Sequence, residues 1–316
     1  MGRRVLITGG AGFIGSTIAE GFLAAGWDVA VLDDLSTGKR ANVPAGARFY
    51  PVDIRSEAAS LAVLKERPEV LCHQAAQIDV RRSMSDPRFD ADVNVGGLLN
   101  VLQAAVAAGS VGHVIFASSG GATYGDTDLI PTPESHPQRP VSCYGAAKAA
   151  SEIYLGVYRA NHGFKVTALR YANVYGPRQD PKGEAGVVAI FCGRLLEGKP
   201  CIIYGDGGQT RDYVFVGDVA RANLLAAQTP FDGPLNIGTG VENDVNAIYA
   251  HLARAAGVSS RADHAPARMG EQRRSCVDPR AALSALGWRP EVAIGDGLAR
   301  TFEHFKKERG EVGRAL

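Results

Sequence analysis

Short apolar runs alternate with amphipathic segments through the first half of the chain. The runs expected to form strands are bounded by polar or turn residues, and they are Arg4–Thr8, Asp28–Asp33, Arg48–Asp53, Val70–Gln74, His113–Ser118 and Lys165–Tyr171. Between them, Phe13–Ala25 and Val93–Ala107 repeat apolar side chains at helical spacing. Strands alternating with such helices predict βαβ units, and therefore a doubly wound α/β fold whose parallel sheet is covered on both faces.

The second half of the chain is less regular and is interrupted by prolines. Short strands are predicted at Cys201–Tyr204 and Leu235–Ile237. The predicted helices are Val187–Glu197, Asp244–Ala256, Pro279–Leu286 and Gly295–Lys306, with a solvated end after them. We expect a first domain at 1–171 and a smaller mixed α/β lobe at 172–316 on the carboxyl edge of the sheet, with the chain crossing between them more than once.

Three glycines follow the first predicted strand directly. Gly9, Gly12 and Gly15 form the pattern Gly-x-x-Gly-x-x-Gly. The first permits a tight turn, the second lets the backbone approach a pyrophosphate, and the third lets the helix pack closely on the strand. The following helix would point free N–H groups and the positive end of its dipole at the phosphates. The pattern predicts a Rossmann-type dinucleotide site.

Acidic residues close the second and third predicted strands. Asp33 lies 18 residues beyond Gly15, near the spacing of an acid that binds the adenosine ribose. A carboxylate there hydrogen-bonds a free 2′-hydroxyl and repels a 2′-phosphate, so NAD is favoured over NADP. Asp53 ends the next strand, where a contact to the adenine edge and a simple strand-end cap are equally good interpretations.

A tyrosine and a lysine stand four residues apart on a predicted helix. Tyr144 and Lys148 therefore share a helix face. An ammonium beside a phenol stabilises the phenolate, which would let Tyr144 act as a general base near neutral pH. Ser118 and Ser119 end a strand at the sheet edge where α/β folds bind ligands. Ser119 is the preferred proton relay, with Ser118 as the alternative and strand-end capping as the non-catalytic interpretation of both.

Charge and cysteine content narrow the classes of function. Lys and Arg number 34 and Asp and Glu 33, so a formal charge of +1 argues against a nucleic-acid or membrane-surface role driven by bulk charge. Apolar runs are shorter than the roughly 18 residues of a membrane span, and no secretory signal is expected at the N-terminus. The five cysteines contain no Cys-x-x-Cys pair, so neither a metal site nor disulfides are expected, and a reducing cytoplasm is the expected compartment.

Taken together, these residues resemble the extended short-chain dehydrogenase/reductase superfamily, and within it nucleotide-sugar 4-epimerases of the UDP-glucose and UDP-N-acetylglucosamine type. The likeness covers nearly the whole chain. Besides Thr8–Gly15 and the Tyr144/Lys148 pair, it rests on five further segments: Asp33–Gly38, His73–Gln77, Ser118–Gly125, Leu169–Gln179 and Tyr204–Val214. One departure is an extra glycine between Ser119 and Tyr124.

The resemblance implies bound NAD and catalysis by Tyr144, Lys148 and Ser119. The cofactor-binding residues it implies are Gly9, Gly12, Phe13, Ile14, Gly15, Asp33, Ser36, Thr37, Gly38, Asp53, Ile54, Ala75, Ala76, Gln77, Asn94, Tyr144, Lys148 and Tyr171. A UDP-sugar would be the substrate, and the residues implied for it are Ser118, Ser119, Tyr144, Asn173, Val187, Val188, Phe191, Tyr204, Arg211, Arg268, Glu271 and Ser275.

Roles within the substrate set also follow from the resemblance. Asn173 and Arg211 would hold the UDP phosphates, and Arg268 would be the second phosphate-binding arginine, with Arg274 as an alternative. Glu271 would bind the uridine ribose. The uridine pocket would be lined by Val187, Val188, Phe191 and Tyr204.

The reaction implied is a transient oxidation at C4 of the hexose. Tyr144 would take the proton of the C4 hydroxyl while the hydride passes to NAD⁺, and the 4-keto sugar would turn over before the hydride returns. Gly120 and Gly121 stand where related 4,6-dehydratases carry an Asp-Glu pair, so dehydration is not expected. The alternatives are a UDP-glucuronate 4-epimerase or another NAD-dependent nucleotide-sugar enzyme, then a net oxidoreductase, then a non-catalytic NAD-binding protein.

Sugar size and assembly are further expectations from the resemblance. Ser275 lies seven positions after Arg268, where a small residue admits a 2-acetamido group in the resembling family. We therefore expect UDP-GlcNAc and UDP-GalNAc to be accepted alongside UDP-Glc and UDP-Gal. A homodimer is expected, built from the helices Val93–Ala107 and Ser142–His162 of two chains.

Overall fold

The apolar runs become strands and the amphipathic segments become helices in the computed structural model, which describes residues 3–181, 186–229, 231–259, 261–267 and 272–312. The strands are β1 Arg4–Thr8, β2 Asp28–Leu32, β3 Arg48–Tyr50, β4 Val70–His73, β5 His113–Ser119, β6 Lys165–Tyr171, β7 Asn173–Tyr175, β8 Ile202–Tyr204, β9 Thr210–Phe215, β10 Gly233–Ile237, β11 Glu242–Asp244, β12 Asp263–Ala265 and β13 Arg274–Ser275. The helices are α1 Phe13–Ala24, α2 Glu57–Glu66, α3 Val80–Ser85, α4 Pro87–Ala91, α5 Gly97–Ala108, α6 Gly120–Tyr124, α7 Cys143–His162, α8 Val187–Leu196, α9 Val216–Gln228, α10 Val245–Ala256, α11 Arg280–Leu286 and α12 Ile294–Val312.

Seven of the described strands form one parallel sheet, in the order β10-β6-β5-β4-β1-β2-β3. Thr8 at the end of β1 is in register with Leu32 of β2 and His73 of β4, so the three strands finish at one edge. The strand order reverses beside β1, where open α/β sheets form their ligand crevice. The predicted Rossmann-type α/β fold is therefore confirmed.

Helices cover both faces of this sheet and create two apolar cores. On one face, α1 and α9 pack together, and Phe22 meets Trp27 edge to face at a centroid distance of 5.0 Å. On the other face, α2 packs on α5, whose Leu98 and Val101 are fully buried. The strands are thus apolar on both sides, which explains why they appear in the sequence as continuous apolar runs.

The smaller lobe has a core of its own, yet it is not a continuous stretch of chain. Phe191 of α8, Leu252 of α10 and Phe302 of α12 are buried together in it. The chain returns to the large sheet when β10 pairs with β6 and when α9 packs on α1. The chain after residue 171 therefore contributes both to the large sheet with its helices and to the separate core of α8, α10 and α12.

The boundaries of some elements differ from those predicted. The third strand stops at Tyr50, because Pro51 has no N–H to donate to a neighbouring strand. The predicted helix Val93–Ala107 is a π-helical turn, Asp92–Gly96, followed by α5. The last helix continues to Val312, beyond the predicted end at Lys306, and residues 306–310 of it are exposed.

One helical stretch is longer and more apolar than the sequence analysis recognised. Within the described ranges, Pro87–Ala108 has the length and composition that a membrane span would need, with a mean hydropathy of 1.2. Core helices of globular proteins meet the same criterion, and here Leu98, Val101 and Leu102 are fully buried against the sheet and its helices. The stretch is accounted for by packing within the fold.

Candidate active site

The turn after β1 brings backbone atoms too close together for any side chain. Gly9 has a φ of +68°, and a Cβ there would lie 2.6 Å from the backbone nitrogen of Ala75. A Cβ on Gly15 would lie 2.2 Å from the Gly9 carbonyl oxygen. Gly12 precedes α1 and provides no capping side chain, so the first N–H groups of that helix are open to an anion. This arrangement fits a pyrophosphate.

Asp33 is a buried carboxylate held at the end of β2. It is 7% exposed, and it accepts hydrogen bonds from the backbone nitrogens of Ala11 at 2.9 Å and Leu35 at 2.8 Å. Burial raises its pKa, and these two bonds oppose that rise. Gly38 packs against it, since a Cβ there would lie 2.8 Å from Asp33 Oδ1. Two amides thus fix the carboxylate while its remaining lone pairs can accept from ribose hydroxyls.

A cleft of about 430 Å³ runs along the carboxyl ends of these strands. Thirteen of the residues implied for the cofactor line it, and they are Gly9, Gly12, Phe13, Ile14, Gly15, Asp33, Ser36, Thr37, Asp53, Ile54, Ala75, Ala76 and Gln77. The size, the glycine turn and the buried acid fit a dinucleotide such as NAD.

Five residues implied for the cofactor do not form the walls of this cleft: Gly38, Asn94, Tyr144, Lys148 and Tyr171. Two of them orient residues that do. Asn94 donates to the Gln77 carbonyl at 3.0 Å and accepts from the Gln77 backbone nitrogen at 2.9 Å. The Tyr171 hydroxyl donates to Gln74 Oε1 at 3.1 Å. Gln74 lines the cleft and had been given no individual role.

Sequence reasoning also missed a cationic and aromatic group in the cleft. Arg55, Arg82 and Phe89 line it, with the two guanidinium carbons 5.4 Å and 3.9 Å from the Phe89 ring centroid. Arg55 forms a salt bridge with Asp53 at 2.6 Å, and this pairing lowers the pKa of the Asp53 carboxyl. The Asp53 side chain is thus bound by Arg55. Because the two residues are only two positions apart, this pairing could have been found from the sequence.

Arg178 is another lining residue to which no role was given. It has a φ of +72°, an unusual conformation for a residue with a side chain. Its guanidinium donates to Ser16 Oγ at 2.9 Å and pairs with Glu20 at 2.5 Å, both on α1. It therefore places positive charge beside the helix whose N-terminus faces the expected phosphates.

The three expected catalytic side chains come together at the end of β5. The Ser119 hydroxyl is hydrogen-bonded to the Tyr144 phenol, while Ser119 Oγ accepts from the Ala122 nitrogen at 3.3 Å. Lys148 Nζ donates to the Ala117 carbonyl at 2.8 Å and lies 5.8 Å from the Tyr144 ring centroid. The helix register and the strand end together produce this cluster.

The pKa of Tyr144 differs from the expectation. Burial, and then the charge of Asp90, raise the pKa of its phenol to about 12, although the Ser119 hydrogen bond lowers it. The expected fall towards neutral pH is not produced by the chain alone, because the Lys148 ammonium donates to a backbone carbonyl and is itself buried. Burial lowers the pKa of Lys148 to about 8, although Asp90 and Glu152 oppose that fall.

Ser118 points away from this cluster. It is 3% exposed, and its hydroxyl donates to Glu152 Oε1 at 2.5 Å. Glu152 is also bound by Arg170, whose Nη2 lies 2.6 Å from the carboxylate. This geometry favours Ser119 over Ser118 as the relay.

On the opposite side, strands of the small lobe bring the expected phosphate and sugar residues towards the catalytic cluster. Arg211 of β9 is in register with Ser275 of β13, and a Cβ on Gly121 would lie 3.4 Å from Ser275 Oγ. Gly121 follows Ser119 by two residues. Asn173 is exposed at the start of β7, paired with β9. Ser275 thus lies between Arg211 and α6, which begins at Gly120 directly after Ser119.

The residues expected around uridine divide between the surface and the core. Val187 and Tyr204 are partly exposed, whereas Val188 and Phe191 are each 1% exposed within the lobe core. Those two side chains belong to the core of the lobe and do not form an exposed wall. Phe191 meets Tyr249 edge to face at 5.7 Å.

Two expected substrate residues, Arg268 and Glu271, lie outside the described residues. The neighbouring arginines are both paired. Arg273 forms a salt bridge with Asp206 at 2.8 Å, and Arg274 is paired with Glu242. Arg274 is thus less available to a diphosphate than the sequence alone suggested.

Residues 5–238 match the NAD dependent epimerase/dehydratase family. The chain belongs to this family. This family member is 44% identical over 311 residues to the UDP-glucose 4-epimerase of Mycolicibacterium smegmatis, covering 96% of this chain and 99% of that protein.

Two solved structures are similar to this epimerase/dehydratase family member over nearly the whole chain. The UDP-glucose 4-epimerase of Thermotoga maritima with UDP-glucose has a TM-score of 0.94 and 44% identity, covering 97% of this chain and 99% of that one. The UDP-glucose 4-epimerase of Thermus thermophilus in complex with NAD has a TM-score of 0.91 and 48% identity, covering 96% and 99%. The family and the cleft agree that NAD is the cofactor.

Proposed function

We propose that this protein is an NAD-dependent isomerase that interconverts the C4 epimers of a UDP-hexose through a 4-keto intermediate. The observation that carries this proposal is the cluster of Tyr144, Ser119 and Lys148 beside the dinucleotide cleft. The two residues after Ser119 are Gly120 and Gly121, so this position offers no acid for the elimination of water. The cluster can move a proton at C4, and C4 epimerisation requires that step.

The protein's own residues handle the proton. Ser119 accepts from a backbone nitrogen and donates to the phenol, so it can pass the C4 hydroxyl proton to Tyr144. Lys148 is held by the Ala117 carbonyl close to Tyr144, where its charge favours the phenolate. When bound, NAD⁺ supplies the hydride acceptor and a positively charged ring that favours ionisation of the tyrosine. Net oxidation is zero because the same hydride returns to the sugar.

The substrate is held at its diphosphate and left free to turn at its hexose. Arg211 and Asn173 are the anchoring residues in our proposal, with Arg268 as a third and Glu271 at the uridine ribose. Among the described residues, Arg211 has no carboxylate partner, and its guanidinium donates to the carbonyl of Thr210 at 2.7 Å. A guanidinium without such a partner is available to a phosphate.

We infer that the sugar pocket accepts a 2-acetamido group. Ser275 faces Gly121 near the catalytic serine, and both are small, so they leave room beside the hexose. The variant Ser275→Tyr should lose activity on UDP-GlcNAc by about tenfold or more while UDP-Glc activity persists. Ser284→Tyr, the same change on an exposed position of α11, is the matched control. Equal losses on both sugars in Ser275→Tyr would contradict this inference.

The decisive experiment follows three substrates in parallel by NMR, without added cofactor. We expect UDP-Glc to give UDP-Gal, and UDP-GlcNAc to give UDP-GalNAc, with NAD already bound to the purified protein. Epimerisation of UDP-GlcA in place of both would favour the UDP-glucuronate alternative. Net production of a 4-keto sugar that consumes added NAD⁺ would instead indicate an oxidoreductase.

We infer a homodimer and a reducing, cytoplasmic location. Three apolar side chains on α7 are exposed, Ile153 at 68%, Val157 at 51% and Tyr154 at 42%, which supports pairing through this helix and α5. Light scattering of the holoenzyme should give twice the 33.3 kDa mass of one chain. The cysteines are all unpaired, as expected where thiols stay reduced.

A further inference from the structure

Asp90 is a buried carboxylate close to the catalytic cluster with no role in the steps above. It is 1% exposed and belongs to α4, which packs against α7. Its Oδ1 accepts hydrogen bonds from Gln77 Nε2 at 2.8 Å and Asn94 Nδ2 at 3.0 Å. Its Oδ2 is buried and has no hydrogen-bond partner among the described residues. Burying an ionisable group with one unpaired oxygen is costly, so this position suggests a function.

Burial and the neighbouring polar groups act on Asp90 in opposite directions, and burial has the larger effect. Burial raises the pKa of the Asp90 carboxyl, and the hydrogen bonds from Gln77 and Asn94 and then the charge of Lys148 oppose that rise. In return, the negative charge of Asp90 raises the pKa of Lys148 and the pKa of Tyr144. Asp90 is therefore coupled to both members of the Tyr/Lys pair.

Three charged side chains on the elements packed against α4 contact groups other than Asp90. From α3, Arg82 lies over the ring of Phe89 at 3.9 Å. From the π-helical turn, Asp92 is paired with Arg55 at 2.7 Å. On α7, Glu152 is bound to Arg170 at 2.6 Å.

Asp90 also reaches the cofactor cleft through Gln77. The Gln77 side chain lines the cleft, and its Nε2 donates to both Asp90 Oδ1 and the Asp79 carbonyl. The backbone of Gln77 is fixed at the same time by Asn94, which itself donates to Asp90. Oδ1 of Asp90 therefore orients Gln77 in the cleft. Oδ2 is buried and receives no hydrogen bond from the described residues.

We propose that Asp90 is a positioning residue for the epimerisation: its buried carboxylate, on the helix that packs against α7, places a negative charge beside the Tyr144/Lys148 helix and holds Gln77 against the cofactor cleft. This inference rests on the proposed function of the same site. It assigns Asp90 no contact with the reacting sugar. The electrostatic effect acts through the Tyr/Lys pair, and the geometric effect acts through Gln77.

The test is Asp90→Asn, which keeps the shape and an oxygen that accepts from Gln77 and Asn94. Loss of the negative charge should shift the pH midpoints of holoenzyme activity towards acid by about one unit, a typical size for an electrostatic perturbation. The unfolding temperature should stay level or rise, because a buried charge is removed. Asp92→Asn removes the same charge from a side chain that is 61% exposed, and it should keep the wild-type midpoints.

A second readout does not require turnover. Ultraviolet difference absorbance of tyrosinate, with Tyr144→Phe subtracted, follows the ionisation of Tyr144 directly. We expect its midpoint to move to lower pH in Asp90→Asn and to remain near the wild-type value in Asp90→Glu, which keeps the charge. This titration remains informative if the substrate assignment fails, so the two failures can be told apart. Coincident titrations of Asp90→Asn and wild type, or an equal shift in Asp92→Asn, would overturn the proposal.

Discussion

The two sides of the cleft differ in how their polar side chains are held. On the cofactor side, the Asp33 carboxylate is fixed by two backbone amides, and the glycine turn at Gly9 and Gly15 leaves no space for a Cβ. On the substrate side, Asn173 is exposed and Arg211 bonds to one backbone carbonyl. The polar groups of the cofactor side are fixed by the chain's own backbone, whereas those of the substrate side are more exposed and have fewer contacts within the chain.

This difference suits a reaction without net oxidation. A rigid site pays little ordering entropy when the cofactor binds, so it favours a cofactor that stays bound between turnovers. A substrate that must leave after each cycle is better served by a few exposed anchoring groups. The comparison therefore predicts two different outcomes. Substitutions on the cofactor side should lower the bound NAD or the turnover, whereas substitutions on the substrate side should raise KM.

The largest effect is expected where the two sides meet, at Tyr144. Tyr144→Phe removes the group that takes the C4 proton, so turnover should fall by about a thousandfold or more. UDP-sugar and NAD should remain bound, as judged by calorimetry and by the absorbance of the purified holoenzyme. Tyr158→Phe makes the same change further along α7 and should retain activity. Near-normal turnover in Tyr144→Phe would refute the assignment.

The cofactor side can be tested with two glycine-to-alanine substitutions in α1, made one at a time. In Gly15→Ala the new methyl group would lie 2.2 Å from the Gly9 carbonyl, so the turn must move and the purified protein should lose most of its NAD. Gly21→Ala places a methyl group where nothing lies within 4 Å, and it should stabilise the fold by about 1 kcal/mol. Bound NAD after denaturation and thermal unfolding measure the two effects. Equal NAD content in both variants would contradict the rigid-cradle interpretation.

The substrate side can be tested by replacing two arginines, Arg211 and Arg273, one at a time. Arg211→Gln should raise KM for the UDP-sugar by roughly 10- to 100-fold through loss of charged hydrogen bonds, with kcat much less affected. Arg273→Gln is the control, since Arg273 is exposed and already paired with Asp206. Initial rates over a range of substrate concentrations separate the two parameters. Similar KM values in both variants would remove Arg211 from the phosphate site.

The smallest effect concerns pH and tests the boundary between the two sides. Burial lowers the pKa of Lys148 from 10.5 to about 8, so activity should decline above pH 8 as the ammonium is lost. Between those two pH values the unfolded chain binds more protons than the folded one, so this group makes the free energy of unfolding rise with pH. Lys148→Arg stays charged over this pH range. We expect this variant to be less active overall but to show no decline in activity above pH 8. A wild-type rate that stays level well above pH 8 would contradict this expectation.

The sequence predicted the large sheet well because its strands are buried on both faces. β1 and β6 have the predicted bounds, and the helices α1 and α7 begin within one residue of theirs. It could not predict that β10 and α9 return to the first lobe, since their apolar patterns do not say which core they join.

Local spacing also identified the chemistry of the site, but not its surroundings. Gly9, Asp33, Tyr144 and Lys148 were found from intervals of a few residues along single elements. Arg178 was missed because its place in the cleft depends on a contact with α1, which is 158 residues away at Glu20. Long-range packing of this kind leaves no periodic signal.

The sequence by itself determined which residues are candidates for the chemistry, because turns, strand ends and helix faces are set by neighbours in the chain. Only the tertiary structure separates Ser118 from Ser119, since one hydroxyl is bonded to Glu152 and the other to Tyr144, which favours Ser119 as the proposed relay. It also sets the direction in which the pKa values of Tyr144 and Lys148 shift, because burial and the nearby charge of Asp90 come from elements that only folding brings together. A pKa depends on distances in space, and those distances are absent from the order of residues.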